Sequence, residues 1–142
     1  MVQWVIIRIL IIIIFTITMS WQISFPPQIR HPVSFYGLLK FFILGAIGIQ
    51  FILGINYRKN SSIRWKKPSW KENPFNYKQP AQFYHFFGWL VVIFSLSIIC
   101  LGFFRGFDDF LYTLELLAFG LGILIGIHFS SFIYKDKYIN TD

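Results

Sequence analysis

The stretch IRWKKPSWKENPFNYKQP, from Ile63 to Pro80, is the longest polar interruption in an otherwise apolar chain. It carries five basic residues, Arg64, Lys66, Lys67, Lys71 and Lys78, against the lone carboxylate of Glu72. Trp65, Trp70, Phe75 and Tyr77 are threaded between the charges. Pro68, Pro74 and Pro80 prevent a regular helix, since a proline ring blocks the helical hydrogen bond of its own nitrogen. Long apolar runs lie on both sides. The position of this stretch divides the chain into two halves, and its charge sets which way they face.

The bulk composition agrees. Of 142 residues, 56% are hydrophobic and only 13% are charged, with a mean hydropathy of +0.59 and 18 phenylalanines. A soluble domain carries about 25% charged residues. A small soluble domain also buries only part of its apolar surface. The class is therefore integral membrane.

A helix needs about 20 apolar residues to cross the hydrocarbon core. Four runs qualify, at roughly 2–21, 35–57, 83–104 and 111–134. Unpaired backbone groups in lipid force each to be helical. Trp4 and Trp21 bracket the first run about 25 Å apart, at the depths of the two interfaces. A secretory signal peptide is the alternative for that run. Arg8 within it, and the poor cleavage pattern of Thr18, Met19 and Ser20, favour a retained helix.

Of the connections, the first (Gln22 to Ser34) contains Pro26, Pro27 and Pro32 and reads as extended or turned. The second is the long basic loop, 58–82. The third, Arg105 to Phe110, is a tight turn in which Asp108 and Asp109 suit the start of the fourth helix. The expected fold is an all-α membrane protein: a single domain over 1–142, with four transmembrane helices in one compact bundle.

Net charge is +7. The loop 58–82 holds most of the excess, and Lys135 and Lys137 add to it near the end of the chain. The positive-inside rule places that loop and both termini in the cytoplasm of a bacterial-type inner membrane.

Two readings of the loop follow. In one it is a topology anchor lying on anionic lipid headgroups, its aromatic rings at the interface. In the other it is a folded cap under the bundle and a partner-binding surface made by Arg64, Trp65, Lys66, Lys67, Trp70, Lys71 and Phe75, since Trp and Arg dominate interface hot spots. Nucleic acid is excluded as a partner, as no RNP-like, OB-like or zinc pattern accompanies the charge.

Ionisable residues within spans are functional candidates by default. Arg8 is expected to snorkel to the headgroups. Lys40 and Glu115 fall at the outer ends of parallel helices, which allows an ion pair. Gly122 and Gly126 form a GxxxG on the Glu115 side of the fourth helix, a close-packing face. Gly45 and Gly48 are its counterparts on the second helix, with Gln50 as an interhelical hydrogen bonder. His85 and His128 fall toward the cytoplasmic ends of neighbouring antiparallel helices, where two imidazoles can ligate haem b. The one cysteine, Cys100, has no intrachain partner and no metal-ligand spacing.

No P-loop, HExxH or GxSxG occurs, nor any pair of intramembrane aspartates. The function expected is therefore non-catalytic: a small binding or accessory protein acting through its cytoplasmic loop, without a cofactor. An immunity protein against a membrane-targeted toxin is a special case of that class. The other classes are a homo-oligomeric channel, resting on Glu115 and the glycine face, and a haem or quinone subunit, resting on His85 and His128.

Overall fold

The computed structural model describes residues 2–23, 35–59, 62–105 and 113–139. They form α1 (Val2–Ile23), α2 (Phe35–Lys59), α3 (Pro80–Arg105) and α4 (Thr113–Ile133). Each contains a stretch long and apolar enough to cross a membrane. No strand occurs among the described residues, only an isolated parallel bridge between Trp65 and Tyr138. The expectations for Pro26, Pro27 and Pro32 and for Asp108 and Asp109 lie outside the described residues. Pro80 interrupts nothing. It opens α3, where its missing N–H costs no hydrogen bond.

The bundle is an open row rather than a closed square. Among the described residues α4 packs against both α2 and α3, α2 barely meets α3, and α3 is the one helix that α1 packs against. Only 11% of the α1 span is buried within the molecule, against 50% of the α3 span. Ile6, Ile9, Leu10, Ile13 and Ile17 of α1 are exposed, as are Leu39, Leu44, Ile47 and Phe51 of α2. Lipid tails cover such faces as well as leucine would.

Glycine sets the centre of the row. A Cβ on Gly122 would collide with the carbonyl of Phe42, and one on Gly126 would lie 2.9 Å from Ala46 O. One on Gly45 would lie 2.5 Å from Phe119 O. These neighbours are backbone, so α2 and α4 touch main chain to main chain and run in the same direction. The Gln50 amide, as expected, bridges the pair by donating to Gly126 O. Gly48 does not share this work. It lies off the stripe of Phe42, Ala46, Ile49 and Leu53, and a Cβ there would meet nothing within 4 Å.

The other face of α4 receives α3 in the antiparallel sense, with Gly120 against Val91 and Val92, and Gly88 against Leu124. α1 runs parallel to α3. Phe15 meets Phe94 edge-on at 5.6 Å, and Met19 packs on Phe94 and Ile98. The N-terminal ends of α1 and α3, the C-terminal ends of α2 and α4, and residues 62–79 consequently gather at one end of the molecule.

Candidate functional site

Residues 62–79 are a folded cap over that end. Trp65 is its keystone, at 1% exposure, and shares a core cluster with Ile49 and Leu53 of α2, Ala81 of α3 and Ile127 of α4. Tyr57, Tyr134 and Tyr138 meet its ring edge-on at 6.4, 5.9 and 5.6 Å. Its backbone is paired too: Trp65 N donates to Lys137 O, and Ile139 N donates to Trp65 O, both at 2.8 Å. Burial pushes the Tyr138 phenol above its ordinary pKa, and the neighbouring Tyr134 adds to this, while the hydrogen bond with Ser130 opposes it. The hydroxyl therefore stays neutral, 2.7 Å from Ser130 Oγ.

Gln79, just before α3, and Gln82, in its first turn, hold the rest of the cap. Gln79 accepts from Lys66 N at 2.7 Å and donates to Arg64 O at 2.9 Å. Gln82, 1% exposed, accepts from Ser69 N at 3.0 Å and donates to Lys66 O and Lys67 O at 3.2 and 2.9 Å. Each side-chain amide thus stands in for a neighbouring strand, satisfying main-chain groups that an irregular loop leaves open. Asn73 and Asn76 close local turns by accepting from Phe75 N and Lys78 N.

Arg8 ties α1 to this cap and corrects the expectation that it snorkels. It is fully buried. Its Nη2 donates to Glu72 O at 2.7 Å, and its guanidinium carbon lies 5.7 Å from the Trp70 ring and 5.9 Å from Phe86. The folded cap reaches down to the cation before the cation can reach the headgroups. Glu72 itself pairs with Lys66 at 3.2 Å, across an exposed surface.

The same geometry divides the residues expected to form a partner surface. Trp65 is interior and presents nothing outward. Trp70 is half-buried between His85 and Trp89. Phe75 leans on Phe86 yet remains 53% exposed. Arg64, Lys66, Lys67 and Lys71 are exposed, as are Tyr77 and Lys78. The outward face of the cap is therefore basic, with Phe75 and Tyr77 at its tips.

Beside the cap is a cavity of about 670 Å³ between α3 and α4. Both histidines line it, His85 with Trp89 from α3 and His128 with Ser131 from α4, and Lys67 and Lys135 stand at its polar side. The His85 ring is approached by a donor at each nitrogen. Trp89 Nε1 donates to His85 Nε2 at 3.2 Å, and Arg8 Nη1 faces His85 Nδ1 at 3.4 Å. A neutral imidazole has one acceptor nitrogen, so the tautomer decides which of these two donors it accepts from.

The remaining intramembrane candidates are dispersed. Lys40 is exposed and Glu115 half-buried, and the described residues hold no ion pair between them. Gly45, Gly122 and Gly126 are consumed by α2–α4 packing, which removes the glycine-face argument for self-association into a channel. Cys100 is exposed on α3. Sequence reading missed Gln79, Gln82, Tyr138 and Gly120, all of which the cap or the row depends on. No family model, curated protein or solved structure matches this chain.

Proposed function

We propose that the chain is a non-catalytic accessory protein of a bacterial-type inner membrane, with the cap and both termini cytoplasmic. Its outward cap face, Arg64, Lys66, Lys71 and Lys78 around Phe75 and Tyr77, docks an acidic surface of a protein partner. One observation carries this reading: the cap is a built structure. A topology anchor needs only its lysines. This loop buries a tryptophan, pairs it to the segment that follows α4, and fixes two further segments with glutamine side chains. Such construction holds exposed cations and aromatic tips at fixed positions, which lowers the ordering cost of binding. The orientation follows from the basic excess at the cap end.

The test places a photo-crosslinking side chain at Tyr77, in membranes, and identifies the adduct by mass spectrometry. The expected result is one stoichiometric protein adduct that the combined charge reversals Arg64→Glu, Lys71→Glu and Lys78→Glu abolish while the thermal transition stays in place. An adduct that survives the reversals, or a scatter of substoichiometric ones, would overturn the reading.

A further inference from the structure

The cavity beside the cap has a chemistry that the outward face does not share. We propose that it is a binding site for one anionic phospholipid, its headgroup held between the cap and the end of α4. The inference rests on the reading of the chain as membrane-spanning with this end at the headgroup level, and on nothing about a protein partner.

The polar side of the cavity is cationic. Lys67 comes from the cap and Lys135 from the turn after α4, and among the described residues no carboxylate lines the space. Neither lysine makes an ion pair among the described residues. Lys66, next along the chain, is taken by Glu72. Two cations that line one space from segments far apart in sequence, with no carboxylate partner among the described residues, suit a single anion rather than a diffuse charge. Ser131 and His128 add polar groups on the same wall. The Ser131 hydroxyl donates back to His128 O at 2.7 Å, leaving its oxygen lone pairs free but no proton for a headgroup. The lysines and the His128 ring are thus the available donors.

The remaining wall is apolar. Leu124, Ile127 and Phe132 line the cavity, and Phe132 is 68% exposed toward the surface that lipid covers. The ligand that fits is therefore amphiphilic, with an anionic head at the lysines and a hydrocarbon tail along α4. A soluble anion satisfies only the first half of this description. Basic pockets between helices at the cytoplasmic interface hold anionic headgroups in this way.

Native mass spectrometry of the protein released from mixed micelles tests the site. The probes are dioleoyl phosphatidylglycerol, dioleoyl phosphatidylcholine and inorganic phosphate. The wild-type protein is expected to retain one phosphatidylglycerol with about thirtyfold preference over phosphatidylcholine, as two cations at a headgroup supply. Lys67→Gln with Lys135→Gln should bring that preference within about twofold. Lys71→Gln with Lys78→Gln, on the outward face, should leave it unchanged. Ser131→Trp, which projects an indole into the cavity and keeps both lysines, should also weaken retention of the lipid. Equal retention by the Lys67 and Lys135 variant, or equal loss by the outward-face variant, would overturn the proposal. So would phosphate alone displacing the lipid, since a soluble anion would then be the ligand. The crosslinking test at Tyr77 is independent, because the outward-face substitutions move the adduct and the cavity substitutions move the lipid.

Discussion

Truncating Trp65 to alanine should open the cap and leave the four helices in place. The ring is 1% exposed and packed against Tyr57, Tyr134 and Tyr138, with the Lys137 ammonium 5.9 Å from its centre. Removing a buried aromatic ring costs about 3–5 kcal/mol where the site cannot collapse. Collapse is hindered here, because the Trp65 backbone is pinned on both sides by its hydrogen bonds to Lys137 and Ile139. Each 1.4 kcal/mol is a factor of ten, so the open cap should gain about two to three and a half decades in population. Arg64 and Lys66 then become tryptic sites, whereas the Lys67–Pro68 bond resists trypsin. The assay is limited trypsinolysis in mild detergent, with amide exchange over residues 62–79 read in parallel. The control is Tyr77→Ala, at 78% exposure, which should change neither. Cleavage of Trp65→Ala at the wild-type rate would refute the assignment of Trp65 as the keystone.

Other perturbations separate the remaining elements. Gly122→Val forces α2 and α4 apart, since the added carbons meet the Phe42 carbonyl, and should lower the detergent melting transition by about 1–3 kcal/mol of stability. Gly48→Val, facing open space, should do so by less than about 0.5 kcal/mol. Arg8→Leu should cost about 1.5–3 kcal/mol, the range for a hydrogen bond to a charged donor, measured as release of the cap in amide exchange. Arg8→Lys should recover less than half of that, because an ammonium cannot both stack between Trp70 and Phe86 and reach Glu72 O. Lys40→Gln and Glu115→Gln should be additive in a double-mutant cycle of melting transitions, within about 0.5 kcal/mol. A larger coupling would restore the ion pair between them.

What could be read from the sequence was local or periodic. The four apolar runs gave the helices to within a few residues at each end, because composition alone decides whether a segment sits in lipid. Gly122 and Gly126 gave a packing face, because four residues return to the same side of a helix. Gly48 was misassigned for the same reason in reverse: its spacing from Gly45 does not say which stripe of α2 meets α4. The fate of the cap was not local. Trp65 is buried by Tyr138, far along the chain, and no pattern near either residue signals the pairing. Gln79 and Gln82 act through amides that bind main chain, which leaves no periodic trace. Arg8 illustrates the cost of treating a span in isolation. Snorkelling follows from a position near one end of a span, whereas the place of Arg8 is set by the loop between two other helices. The cavity combines both kinds of information: His85 and His128 were legible as residues of neighbouring helices, but the lysines that give the space its charge converge only once the cap has folded.

The most direct test of the membrane-spanning account is the sidedness of the cap. A single cysteine is placed at Lys71, an exposed cap residue, with Cys100→Ser removing the native thiol. A membrane-impermeant maleimide is then applied to inside-out and right-side-out inner-membrane vesicles. The account predicts labelling of the inside-out vesicles alone. Labelling from the right-side-out face would place the basic cap outside the cytoplasm and contradict it.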